Sequence, residues 1–125
     1  MIVATSLLCF ALTAYRETRG EEVAAQIAAL KTLQNRSIIR KTSVCSEVAR
    51  HQQFAWVRKY GIKHPRPRGE LDKAAWYQSK QLASSIDIVN VAGISKSHIY
   101  FNTLALGKRY KTKTTAKRIG GLLFY

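Results

Sequence analysis

A mainly α-helical α+β fold with one small β-sheet or hairpin is what this sequence predicts, on three observations. Leu7, Leu8, Ala11, Leu12 and Tyr15 recur at helical spacing and mark one buried face near the N-terminus. Two later stretches, 21–35 and 70–86, repeat that spacing. β-branched and aromatic residues then gather in His98-Ile99-Tyr100-Phe101 and again between Ile119 and Tyr125, as strands require. A chain of 125 residues with 46% hydrophobic content supports one core, so 1–125 reads as a single domain.

Taken in order, the first helix runs to a C-cap at Gly20, where only glycine turns freely into the left-handed region. Glu21 and Glu22 open the second helix, because acidic side chains suit the positive end of a helix dipole. Val23, Ile27, Leu30 and Leu33 carry its stripe to about Asn35. Gln26 reads as a surface amide, and Asn35 with Arg36 ends the helix, the arginine pairing with a carboxylate or capping carbonyls. Ser43 starts a short third helix through Val44, Val48 and Ala49, with Glu47 as its capping partner.

Periodicity then stops. The stretch 51–69 mixes Gln52, Gln53, Phe54, Trp56 and Tyr60 with Arg58, Lys59, Lys63, Arg66 and Arg68, punctuated by Gly61, Pro65, Pro67 and Gly69. This predicts a long functional loop. A helix follows from Glu70 to about Ile86, with Leu71, Ala74, Ala75, Gln78, Leu82 and Ile86 on one side and Trp76 and Tyr77 as packing residues. A strand is expected within 97–104 and a turn near Gly107. The basic, threonine-rich run from Lys108 to Arg118 reads as a solvated, polyanion-facing surface, and Ile119 to Tyr125 as a terminal strand docking into the core.

The formal charge of +14 implies attraction to a polyanion: nucleic acid, an anionic envelope surface or an acidic glycan. Cys9 and Cys45 read first as small core residues, with a disulfide as the open alternative. His51, His64 and His98 show no zinc-type spacing with them, so a protein without metal or cofactor is expected. Met1 to Tyr15 is apolar enough to raise a signal peptide, but it has no basic leading region, and it is too short to span a membrane. The core-helix reading follows, with no export address in the sequence.

The chemistry is best placed at Tyr15-Arg16-Glu17-Thr18-Arg19-Gly20-Glu21. Glu17 falls in the last turn of the first helix, where the carbonyl end of the dipole disfavours a carboxylate and burial disfavours it further. Arg16 and Arg19 push the other way. If both reach solvent while Glu17 points inward, Glu17 becomes a general acid.

Tyr15-x-Glu17-x-Arg19-Gly20-Glu21, Gln26-x-Ala28, Asn35-Arg36, Val44-Cys45, Gln53-Phe54, Tyr100-Phe101-Asn102 and Ile119-Gly120-x-x-x-Phe124-Tyr125 together resemble the cell-wall hydrolase family of the spore-cortex-lytic enzymes. The resemblance implies a lysozyme-like lytic transglycosylase fold. It also implies peptidoglycan glycan strands as substrate, with Glu17 protonating the oxygen between N-acetylmuramic acid and N-acetylglucosamine and then accepting the C6 hydroxyl proton. Gln53, Phe54, Tyr100, Asn102 and Tyr125 would surround the substrate; Arg19 and Glu21 would support the acid. Three departures stand out: Leu122 replaces a common histidine, Ala25 a common glycine, and an Asp-Pro-Thr before the aromatic strand is missing.

Small size and strong positive charge look like a bacteriophage endolysin: a monomer made in the host cytoplasm, acting on the wall, its cations gripping anionic envelope polymers. Other readings are a hydrolytic muramidase, a stem-peptide amidase, and a non-catalytic nucleic-acid-binding module using Tyr60 and Tyr110 for stacking. The amidase lacks zinc ligands or a Cys/His nucleophile, and the binding module lacks a known nucleic-acid motif.

Overall fold

The helix that begins the fold is its axis. In the computed structural model, which describes residues 4–50, 53–104 and 116–125, α1 (Ala4–Arg16) buries every residue from Cys9 to Tyr15. A single apolar face would bury fewer, so α1 is a central helix packed on more than one side. Thr13 fits there because its hydroxyl donates to the Cys9 carbonyl at 2.8 Å. Leu7 and Leu8, expected on the buried face, are only partly covered.

α2 (Val23–Arg40) outruns its expected end at Asn35 by more than a turn. It closes with the Thr42 N–H on the Ser37 carbonyl at 3.0 Å and the Lys41 N–H on the Ile38 carbonyl at 3.2 Å, a Schellman pair. The left-handed position is Lys41, at φ 53°, instead of a glycine. Asn35 and Arg36 therefore lie inside the helix and serve another purpose. Asn35 Nδ2 donates to the Ser95 and His98 carbonyls at 3.0 and 2.9 Å, and Arg36 Nε donates to the Ile99 carbonyl at 2.7 Å. Gln26 is a buried residue and not a surface amide, with Nε2 on the Glu21 carbonyl at 2.8 Å. Ala25, Ala28 and Ala29 are fully buried around it.

α3 (Val44–Val48) starts at Ser43, whose hydroxyl accepts the Ser46 N–H at 3.0 Å. Glu47 does not return to the cap; it is fully buried among basic side chains. The pair Cys9 and Cys45 forms a disulfide, with Cα atoms 5.5 Å apart, so the reading of two small thiols in the core is corrected. It ties α3 to the axis helix.

The expected long loop contains a helix among its described residues, α4 (Ala55–Tyr60). Phe54 and Trp56 turn inward and anchor this short turn, which is too brief to show periodicity. α5 (Gly69–Ser85) packs extensively against α1 through Trp76, Ser79, Leu82 and Ala83. Its buried side is rotated from the expected one. Leu71 is 86% exposed, because the area of Trp76 decides which stripe faces α1.

The sheet comprises β1 (Phe101–Thr103), β2 (Lys117–Ile119) and β3 (Leu122–Phe124), antiparallel in the order β1-β3-β2. The predicted terminal strand is split: Ile119 ends β2, Gly120 turns at φ 57°, and β3 runs down the centre. Lys117 and Arg118, expected in the solvated run, belong to β2, and both are exposed. The turn near Gly107 and residues 108–115 of that run, including Tyr110, lie outside the described residues, as do His51 and Gln52. Register pairs Phe101 with Phe124 and Thr103 with Leu122, so Phe101, Leu122 and Phe124 share the face that enters the core. Among the described residues no helix is long and apolar enough to cross a membrane.

Candidate active site

The corner between α1 and α2 is built by hydrogen bonds that stop the first helix and reverse the chain. The Glu17 and Thr18 N–H groups both reach the Thr13 carbonyl, at 2.8 and 3.4 Å. The Glu21 N–H then closes on the Thr18 carbonyl at 3.0 Å, with Gly20 at φ 93° between them. Glu17 thus sits one residue past the helix, still at its carbonyl end.

Both arginines beside Glu17 are engaged elsewhere. Arg16 lays its guanidinium over the Tyr60 ring, 3.9 Å from the centroid, and lies 5.0 Å from the Tyr15 centroid. Arg19 pairs with Asp72 at 2.5 Å. Asp72 also accepts the Tyr15 hydroxyl at 2.5 Å and the Arg68 N–H at 2.8 Å. These bonds, Tyr15 first, then the Arg68 N–H and Arg19, lower its carboxyl to about 2.

The Glu17 side chain makes no hydrogen bond among the described residues. Its side chain is exposed, whereas an inward, enclosed carboxyl was expected. Burial nevertheless pushes its pKa up from the ordinary glutamate value. An exposed residue and a raised carboxyl hold together where neighbouring protein excludes part of the water around the group. The contacts around it fit that position. Tyr60 and Asp72 bind the corner from the α4–α5 side, and Gly121 binds it from the sheet side.

Glu21 makes that second link. Its carboxylate accepts the Gly121 N–H at 2.9 Å, while the Gly121 carbonyl accepts the Leu104 N–H at 3.3 Å. A Cβ at Gly121 would lie 2.9 Å from Glu21 Oε2, so the carboxylate would have to shift to admit one. Glu21 is a brace between corner and hairpin.

Three of the residues expected at the substrate come together. Tyr100, Asn102 and Tyr125 share the sheet face opposite Phe101 and Phe124. The Tyr100 and Tyr125 rings stack at 5.8 Å, and Asn102 Nδ2 donates to the Tyr125 hydroxyl at 2.5 Å. Phe54 is elsewhere: it is buried against Trp56 and Phe101, with centroids 6.1 and 5.9 Å away. Gln53 is half-buried at the entry to α4.

Behind the tyrosines lies a charged cluster the sequence did not announce. Glu47 accepts from Arg40, Arg50 and Thr42. Burial would raise its carboxyl, but the Arg50 and Thr42 hydrogen bonds and the nearby arginine charges outweigh it and hold the carboxyl below the usual range. Its spacing from Arg40 and Arg50 was the one available signal.

Cavities among the described residues lie away from this corner. One of about 580 Å³ lies between α2 and residues 90–97, and one of about 450 Å³ between α1 and α5; Glu17 lines neither. Among the described residues no three of His, Cys, Asp and Glu converge on a metal-sized point. No family model, curated protein or solved structure matches the chain.

Proposed function

We propose that this protein cleaves the β-1,4 bond between N-acetylmuramic acid and N-acetylglucosamine in peptidoglycan as a lytic transglycosylase of lysozyme-like fold. Glu17 carries the reading: it is reachable from solvent, shifted towards the protonated acid by its surroundings, and without a partner among the described residues. A general acid needs that combination. Its proton passes to the glycosidic oxygen as the C1–O bond breaks. The resulting carboxylate then takes the proton of the muramoyl C6 hydroxyl as that oxygen bonds to C1, so one group serves twice and no water is consumed.

Three of the six other carboxylates are committed elsewhere, which weighs towards this over a two-carboxylate hydrolysis. Two-carboxylate glycosidases need a second acid roughly 5–5.5 Å or 6.5–9.5 Å from the first. Glu21 is committed to Gly121, Asp72 to Tyr15, Arg19 and Arg68, and Glu47 is buried in its arginine cluster. The Tyr100–Asn102–Tyr125 face supplies rings and an amide of the kind sugars pack on and bond to. Exposed Arg58, Lys59 and Lys63 beside Tyr60 suit a polyanionic wall. The Cys9–Cys45 disulfide suits a protein that acts outside a reducing cytoplasm.

Mass spectrometry of digested sacculi tests the reaction. The expected product is 1,6-anhydro-muropeptide, absent with Glu17→Gln. Reducing ends would instead mean a muramidase, free stem peptides an amidase, and no wall clearance above the Glu17→Gln level would refute the enzyme altogether.

A further inference from the structure

The cavity of about 580 Å³ is a groove whose two walls, α2 and the 90–97 segment, are tied together by side chains of the helix. Lys31 Nζ donates to the Ile86 carbonyl at 2.6 Å, Gln34 Nε2 to Asp87 at 3.0 Å, and Asn35 Nδ2 to the Ser95 and His98 carbonyls at 3.0 and 2.9 Å. A segment with neither helix nor strand of its own is thereby held in place, and the groove stands formed.

Its lining combines two kinds of group. Ile38 and Ile39, 67% and 56% exposed, supply aliphatic surface from the end of α2, and half-buried Ile94 supplies it from the other wall. Contiguous aliphatic side chains open to water are a feature of docking surfaces. Asn90 and Ser97 add an amide and a hydroxyl, and Lys31 and Lys96 add cations. The Asn90 and Lys96 side chains make no hydrogen bond or ion pair among the described residues. Lysine carries three donors, so Lys31 keeps two beyond the one given to Ile86.

We infer that this groove binds a short acidic peptide, its aliphatic side chains on Ile38, Ile39 and Ile94, its carboxylate on Lys96 and Lys31, and its peptide groups on Asn90 and Ser97. Among the described residues no aromatic ring lines the groove, so a sugar or a nucleobase has no platform to stack on. No carboxylate lines it either, which together with the chain's charge of +14 favours an anionic partner and opposes a second copy of this chain. Glu17 does not line the groove, and the site stands whether or not that carboxyl acts as an acid.

Selection from a pool of tetrapeptides with free C-terminal carboxylates, at physiological salt, tests it, followed by titration of the selected peptide into protein labelled at its isoleucine methyls. The pool should enrich in Asp or Glu beside Val, Leu or Ile. The selected peptide should shift the methyl signals of Ile38, Ile39 and Ile94 and leave that of buried Ile27 in place. Ile38→Asn, a surface change that should leave the fold intact, should weaken binding about tenfold, the worth of one aliphatic contact. Lys96→Gln should weaken it about threefold, whereas Lys73→Gln, an equal loss of charge at an exposed position of α5, should not. No enrichment, enrichment of basic peptides, or equal weakening by Lys73→Gln and Lys96→Gln would overturn the site. Shifts of the same methyls on concentrating the protein without peptide would overturn it too, by showing a contact between copies.

Discussion

The Glu21 carboxylate and the Gly121 N–H meet at 2.9 Å across a sequence separation of 100 residues. That bond joins the α1–α2 corner to the last hairpin, so the position of Glu17 relative to the sheet depends on it. Glu21→Ala should cost about 2 kcal/mol, the usual worth of a partly buried hydrogen bond to a charged group. Gly121→Ala places a Cβ 2.9 Å from Glu21 Oε2 and should break the same contact. Urea unfolding of both singles and the double tests the pairing; fully additive losses would show the residues to be uncoupled. Glu21→Ala should also lower wall-clearing activity without abolishing it, because Glu21 braces the corner that positions Glu17 but transfers no proton.

Glu17→Gln should abolish clearance of purified peptidoglycan while stabilising the fold at neutral pH. The sign follows from the raised carboxyl. Below the unfolded value of about 4.5 both states are protonated, and wild type and variant should be equally stable. As pH climbs through the higher folded value, the unfolded state loses its proton first, so the wild type loses stability that the amide retains. A variant no more stable than wild type at pH 7 would argue that the carboxyl is freely hydrated.

Asp72 should give the opposite dependence. Its carboxyl is lowered from 3.8 to about 2 by Tyr15, the Arg68 N–H and Arg19. The stability it contributes is therefore complete above pH 3.8 and is lost as pH falls through about 2. Denaturant melts between pH 5 and pH 2 should show Asp72→Asn losing less on acidification than wild type; parallel curves would contradict the assignment.

Reduction of the Cys9–Cys45 disulfide, which spans 36 residues, should lower stability by about 4 kcal/mol through the freedom returned to the unfolded chain. Urea titrations with and without dithiothreitol read this directly. Because the bond anchors α3 to the helix that ends at Glu17, wall clearance should fall in parallel; an unchanged midpoint would show that the cross-link carries no stability.

Local chemistry made part of the fold legible. The apolar spacing of α1, the serine cap of α3 and the apolar terminus, part of which becomes β3, each act within a few residues, and each is found in place. Where a local rule had a non-standard residue, the reading slipped. α2 closes on left-handed Lys41 with no glycine to mark it, and α4 is too short for a period to emerge. On α5 two stripes share Leu82 and Ile86; Trp76 packs inside as its size predicts, but only packing against α1 shows that Leu71 and Tyr77 lie outside.

By itself, the sequence determined a mainly helical chain with a small terminal sheet, a strong positive charge, and a carboxylate at a helix's carbonyl end, because burial periodicity, charge and helix polarity are properties of neighbouring residues. Only the tertiary structure decided that Arg19 leaves Glu17 for Asp72, that Arg16 stacks on Tyr60, that Cys9 finds Cys45, and that Tyr100, Asn102 and Tyr125 meet while Phe54 goes to the core. Each of those outcomes is a choice among partners distant in the chain, settled by which surfaces pack and which charges remain to be neutralised.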